Sequence, residues 1–329
     1  MEVALVVLGA VDRHQAHVKV LAGEHGAVVE VGALDRVGPD PTVVNVIGRH
    51  DEAHRRPFLE PGAFAVADGA AALAGNQKRV RVFTHAGATY IAKRPAAKPR
   101  RLIQILFLRW AVKHITGTAL PTSTLALSGA TSGMDYEAGR LKRLAAEGVR
   151  VPHLALLTPE FFVLEHCGAI VEAHLANWPP ATWRRELPRL ATELGAFHRA
   201  GHWHGGAQIK NITLQDGVSY RIDFEEDFGD FLPLPVTQAA DLVLFLNSIS
   251  LSGPIVEGEA RSLLPQLIDH YFAANPDPEI RNVIGRGLPL MKRLACIARP
   301  FRRWSNRGIP RVLILVDVFQ EYFDRQSLT

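Results

Sequence analysis

Between His198 and Asp230 the chain reads HRAGHWHGGAQIKNITLQDGVSYRIDFEEDFGD, and no other stretch restricts the possible folds as much. A glycine-containing loop, His204-Gly205-Gly206-Ala207-Gln208-Ile209-Lys210-Asn211, is followed after a short polar turn by the strand-like Tyr220-Arg221-Ile222, which runs into Asp223-Phe224-Glu225. The loop thus ends on an amide and the strand on a carboxylate. Oxygen donors of these two kinds, presented from a loop and from the end of the next strand, are what a hard divalent cation carrying phosphates requires. The plainer reading is an ordinary loop and strand with a capping aspartate. The stretch alone does not separate the two, so the rest of the chain must.

With 329 residues, 47% hydrophobic and 21% charged, the chain can bury a substantial core. A formal net charge of +4 is too mild for a protein that coats nucleic acid, and it tolerates an anionic ligand without demanding one. The two cysteines, Cys167 and Cys296, match no zinc spacing and no disulfide framework, which points to a reducing cytoplasm. The opening MEVALVVLGAVDRHQAH has an apolar run too short to span a bilayer and no basic residues before it, so it reads as neither signal peptide nor anchor.

Residues 2 to 50 carry Val-rich runs broken by Gly, Asp and Pro, the punctuation of strands and turns, and predict a small β-rich appendage. His50-Asp51-Glu52-Ala53-His54 has metal-ligand residue types, but Arg49, Arg55 and Arg56 flank it and favour a solvated charged loop. Val80 to Arg94 predicts a hairpin ending in Ile91-Ala92-Lys93, and Arg100 to Ile115 predicts a helix with a broad apolar surface, to be buried or to meet lipid. A further helix follows Asp135, its expected N-cap, with Glu137 in the first turn and Gly148 as its stop. Val149 to His166 predicts two strands, and Trp183 to Ala200 a helix delivering the chain to His204. Beyond Ser250 the chain reads as helical up to Phe323, with Lys292, Arg293, Arg299, Arg302, Arg303 and Arg307 around Phe301 and Trp304. A solvated helical face explains that basic run most simply; anionic lipid, a phosphorylated sugar or nucleic acid are the other partners such a patch could meet.

Together these segments resemble the protein-kinase-like superfamily. His204 and Asn211 stand where the histidine and the metal-binding asparagine of its catalytic loop (H-R-D-x-x-x-x-N) fall, and Asp223-Phe224-Glu225 where D-F-G falls. Ile91-Ala92-Lys93 is similar to the V-A-I-K strand, and Glu137 takes the place of the helix glutamate that pairs with its lysine. The order Lys93, Glu137, Asn211, Asp223 is the family's, and the resemblance spans residues 79–250. It is nearest to the lipopolysaccharide-kinase (Kdo/WaaP) group and related small kinases, whose metal loop reads Ile-Asp-Phe-Glu, with Asp241-Leu242-Val243-Leu244-Phe245-Leu246 fitting the helix that follows.

The resemblance implies an α+β, two-lobed protein-kinase-like fold, with a small β-rich N-lobe carrying one αC-type helix, a mostly helical C-lobe, and an extra β-rich N-terminal segment. The boundaries it implies are 1–78 for the appendage, 79–168 for the N-lobe and hinge, and 169–329 for the C-lobe. It implies ATP with Mg²⁺ or Mn²⁺, metal ligation by Asn211 and Asp223, and catalytic roles for Lys93, Asn211 and Asp223. Nucleotide binding would fall to Lys93, Glu137 and a hinge at Phe162–Gly168, including Glu165 and Cys167, whose backbone would meet the adenine edge. Two departures stand out. The position of the catalytic aspartate is Gly206, and Gly69, Gly75 and Gly87 do not make a G-x-G-x-x-G loop. The expected activity is ATP-dependent phosphoryl transfer to a protein or saccharide-lipid hydroxyl, in the cytoplasm or peripherally against an anionic inner-membrane face, with nucleic acid disfavoured. The alternative is a pseudokinase that binds nucleotide or a partner without turnover. An antibiotic-type phosphotransferase is less favoured, because its aspartate would also fall at residue 206.

Overall fold

Ala86 and Gly87 both take positive φ, +49° and +79°, the geometry of a two-residue turn whose twist matches that of the strands it joins. It closes a hairpin between β1 (Val80–His85) and β2 (Ala88–Lys93), and the computed structural model describes residues 79–94, 106, 109–110, 112–115, 117, 130–304 and 307–326. The appendage, including the Ala- and Gly-rich stretch from Pro57 to Asn76 whose composition suggests a linker and a short helix, lies outside the described residues. Strand β2 pairs on its other side with β4 (Phe162–Glu165), and β4 with β3 (Leu154–Leu157), giving an antiparallel sheet in the order β1-β2-β4-β3. Lys93 therefore sits at the end of an inner strand, next to the fully buried Ala92.

Helix α1 (Ala130–Ala146) packs Met134, Ala138, Leu141 and Leu144 inward at three- and four-residue spacing. It starts five residues before Asp135, so Asp135 is an interior residue, not the N-cap, and Glu137 is not in the first turn. The buried face already begins at Met134, one residue before Asp135, and the weak helix propensity of Thr131-Ser132-Gly133 hid the earlier start. At the other end Gly148, at φ +80°, donates to the Ala145 carbonyl while Val149 donates to that of Leu144, a glycine-dependent helix stop. Of the expected helix over 100–115, the described residues 106, 109–110 and 112–115 are helical; Val112 is buried, whereas Leu106 and Trp110 are exposed.

A second antiparallel sheet, β5 (Ala169–Ile170), β6 (Ile212–Gln215) and β7 (Val218–Arg221), lies beyond the crossing segment 166–168. Gly168 makes that crossing possible. Its φ is +84°, and a Cβ there would lie 1.9 Å from the Leu214 carbonyl oxygen. Asp216 and Gly217, at φ +51° and +76°, form the β6–β7 turn. The remainder is helical: α2 (Val171–Asn177), α3 (Pro180–Arg199), α4 (Leu234–Ile249), α5 (Glu257–Ala274), α6 (Pro278–Ala298) and α7 (Gly308–Gln326). Helix α3 starts at Pro180, a residue preorganised for a first turn, three residues ahead of the expected Trp183. Trp183, Leu187, Leu190 and Leu194 of α3 meet Leu264, Leu267, Ile268 and Tyr271 of α5 and Phe245 of α4 in one core. Gly195 lets α3 and α5 approach closely, since a Cβ there would lie 2.5 Å from the Tyr271 carbonyl oxygen. The chain is thus a mixed α+β protein with a small antiparallel sheet and a helical C-terminal part. Among the described residues no helix is long and apolar enough to cross a membrane.

Candidate functional site

Three carboxylates and two cations gather where β2, α1 and the segment after β7 meet. Lys93 Nζ lies 2.8 Å from both carboxylate oxygens of Glu137, 2.6 Å from Asp223 Oδ1 and 3.0 Å from Glu225 Oε1. Arg79, at the entry to β1, donates to the same Glu225 oxygen at 2.7 Å. Burial works against the charge of Lys93, but Asp223, Glu137 and Glu225 together outweigh it and hold the ammonium protonated well above the usual lysine range. Burial pushes the Glu137 carboxyl up to about 7 despite the ammonium beside it. Three acids sharing Lys93 and Arg79 leave the cluster with an excess of negative charge.

The loop between α3 and β6 is folded by Asp241 of α4, which reaches back to accept from the backbone N–H of His204 (2.6 Å), Gly205 (2.9 Å) and Ala207 (3.4 Å). Burial opposes the Asp241 charge, yet His198 and the His204 amide keep its carboxyl below the usual value. His204 is fully buried and stacks on Phe224 at 4.4 Å between ring centroids. Its Nδ1 accepts from the Gly206 N–H at 3.1 Å, which leaves Nε2 to donate to the Ile222 carbonyl at 3.0 Å. Both nitrogens are thereby assigned in the neutral ring, and burial drives its pKa down to about 4.

The β6–β7 pairing continues one residue past the strands, with the Ile222 N–H donating to the Asn211 carbonyl at 3.0 Å. Asn211 and Asp223 are thereby set on adjoining strand ends. Asp223 adopts φ +70°, a left-handed conformation that aspartate tolerates better than most residues. The Asn211 side-chain amide donates to the Gly206 carbonyl at 2.8 Å, so its Oδ1 is the remaining acceptor. Gly206 is not at positive φ, and a Cβ there would meet Asn211 Nδ2 at an ordinary 3.4 Å.

Glu137, Asp223 and Glu225 each offer a carboxylate oxygen within 4.8 Å of the others, the one group of metal-ligating character among the described residues. All-oxygen donors, an adjoining amide oxygen and surplus negative charge fit a hard divalent ion that keeps several of its waters. Sequence reasoning named Glu137, Asn211 and Asp223 but gave Glu225 no place in the metal set, since only the fold turns it toward Lys93. Arg79 was missed for the same reason. Glu165 ends β4, its backbone N–H donating to the His153 carbonyl at 2.9 Å. Cys167 is buried, its Sγ 3.7 Å from the Glu165 carbonyl and its thiol pushed up to about 12 by burial, so any part it has in ligand binding belongs to its backbone. No family model matches the chain, and no curated protein matches it.

Proposed function

We propose that the chain is a protein-kinase-like phosphotransferase that binds ATP with Mg²⁺ or Mn²⁺ at the Lys93–Asp223 cluster and passes phosphate to a hydroxyl acceptor. The observation that supports this most is the meeting of Lys93 with Glu137 and Asp223 at 2.6–2.8 Å, from a strand, a helix and a loop far apart in sequence. A lysine held charged by a helix glutamate, beside a carboxylate and an amide oxygen on adjoining strand ends, is the set that phosphoryl transfer uses to position and neutralise a triphosphate. On this reading the sheet β1–β4 with α1 is the small lobe, and α2 to α7 with β5–β7 the large one. The backbone of 165–167 then meets the base.

Asn211 and Asp223 would hold the divalent ion, with Glu225 as a third donor once Lys93 turns from it to phosphate. Bound there, the ion supplies charge neutralisation to the transferring group. Asp241 and His204 keep the loop around Gly206 in shape, and Glu137 sets the depth of Lys93. A general base adds roughly 10²–10⁴-fold, whereas a loose transition state depends chiefly on positioning, so the absence of a side chain at Gly206 lowers the rate without removing the reaction. Glu225 is a poor substitute base, because it is ion-paired to Arg79 and would be engaged as the ion's third donor.

Gly206 supports a second reading, a pseudokinase that binds nucleotide without turnover. One experiment addresses both. Mg²⁺·ATP should raise the melting temperature, a ligand at about a hundredfold over its Kd adding ~2.7 kcal/mol, and Asp223→Asn should abolish the metal dependence. No shift at any concentration rejects the nucleotide site. Release of ADP above the Asp223→Asn blank, increased by Gly206→Asp, supports the kinase; a shift without ADP release from either protein supports the pseudokinase.

A further inference from the structure

Tyr136, Glu137 and Arg140 lie at i, i+1 and i+4 on one side of α1, and each reaches a different segment. Arg140 is the deepest of the three apart from Glu137, with 6% of its surface exposed. Its guanidinium donates to backbone carbonyls: Trp203 at 2.5 Å, His204 at 3.2 Å and Glu226 at 3.4 Å. Two of these belong to the loop that carries Gly206, and the third lies three residues past Asp223. The same group stacks on the Trp203 ring at 3.7 Å and lies 4.9 Å from Phe224. A buried guanidinium is costly unless its donors are satisfied, and here backbone oxygens and aromatic faces do that.

The contacts close on themselves. The Trp203 ring also packs so tightly on Gly229 that a Cβ there would lie 2.4 Å away. Asp230, the next residue, accepts from the Tyr136 hydroxyl at 2.8 Å, which returns the circuit to α1. Helix, loop and the segment after Asp223 are thus joined around one arginine.

We propose that Arg140 is the positioning residue of this site: it holds α1 against the Gly206 and Asp223 loops so that Glu137 stays on Lys93. The part of the proposal that concerns ligand rests on the nucleotide reading above. Backbone hydrogen exchange tests the clamp without any ligand. Arg140→Met, matched in length and apolar character to the side-chain stem, should raise exchange in α1 and in residues 203–206 at least tenfold while α5 is unchanged. Arg140→Lys, which keeps the charge but not the fork, should fall between Met and native. In a parallel titration the concentration of Mg²⁺·ATP giving half the thermal shift should rise at least tenfold in Arg140→Met and less in Arg140→Lys. Native exchange in α1 of a folded Arg140→Met protein overturns the proposal, as does raised exchange with an unaltered Mg²⁺·ATP response. If Arg140→Met does not fold, Arg140→Lys decides by the same two criteria. A native protein that never responds to Mg²⁺·ATP rejects the nucleotide reading alone, and the exchange result still judges the clamp.

Discussion

His204 holds its place by staying neutral. Its Nδ1 must keep a lone pair for the Gly206 N–H, so a proton there would break that bond and place a charge in the fully buried core. The unfolded chain takes up this proton below an ordinary pKa of 6.5, the folded chain only below about 4. A base with a depressed folded pKa costs stability as pH falls through that window, here up to about 3 kcal/mol. Glu137 works the other way, because the folded chain takes up its proton near 7 and the unfolded one near 4.5. The two are separated by difference. Urea unfolding of native and His204→Asn proteins should show a stability gap that narrows by 2–3 kcal/mol from pH 7 to pH 4.5, Glu137 being common to both. A gap independent of pH would mean that His204 titrates normally. The sequence made the types and order of Lys93, Glu137, Asn211 and Asp223 legible, because each sits in a recognisable local pattern. Arg140 and Arg79 were not legible: their partners are 63 and 146 residues away, and nothing near either residue marks it.

At the scale of elements, periodicity and turn residues carried most of the information. The β1–β2 hairpin is visible as alternating apolar residues around a glycine turn, and Gly148 correctly ends α1, whereas β6 and the hairpin it makes with β7 were not read from the sequence. The start of α1 was not visible, since Thr131-Ser132-Gly133 have little helix preference. Nor was the role of Gly168, which depends on Leu214, a residue on a strand 46 positions later. Gly168→Ala combines a disfavoured φ with a backbone clash that no rotamer relieves. It should lower stability by upwards of ~3 kcal/mol in chemical denaturation. The neighbouring Gly217, at φ +76° but with open space around it, is the control and should lose only about 1 kcal/mol on the same change. Equal losses at the two positions would show that strain, and not the approach of β6, governs this crossing.

Across the whole molecule the small net charge conceals a strong segregation. Between Asp68 and Asp135 there are ten Lys or Arg and no acid, and between Glu279 and Asp317 nine and none. The two stretches touch, since a side chain placed at Gly287 of α6 would meet Ile115 at 3.7 Å. Exposed Lys113, Arg286, Arg293, Arg302 and Arg303 belong to them, as do Leu106, Trp110 and Ile297, exposed by 50%, 48% and 60%. Basic residues with interspersed exposed apolar ones suit an anionic bilayer surface, each cation near it contributing about 1 kcal/mol. Vesicles rich in anionic lipid should therefore sediment the protein at low salt and release it at high salt, and Arg293→Glu with Arg302→Glu should abolish retention. Retention on neutral vesicles, or none on anionic ones, would exclude this surface as a charge-driven contact.

The sharing of one ammonium among Glu137, Asp223 and Glu225 also bears on what natural variation in this chain can reveal. Replacing Lys93 with an uncharged residue leaves three acids within 4.8 Å of one another with only Arg79, on Glu225, to offset them, and removing one partner of a buried ion pair typically costs roughly 3–5 kcal/mol. Selection for a protein that merely survives in the cell would therefore preserve Lys93 and Glu137 whether or not the proposed reaction takes place. Their persistence in a descendant would record a requirement of folding and would by itself say nothing for the proposed reaction.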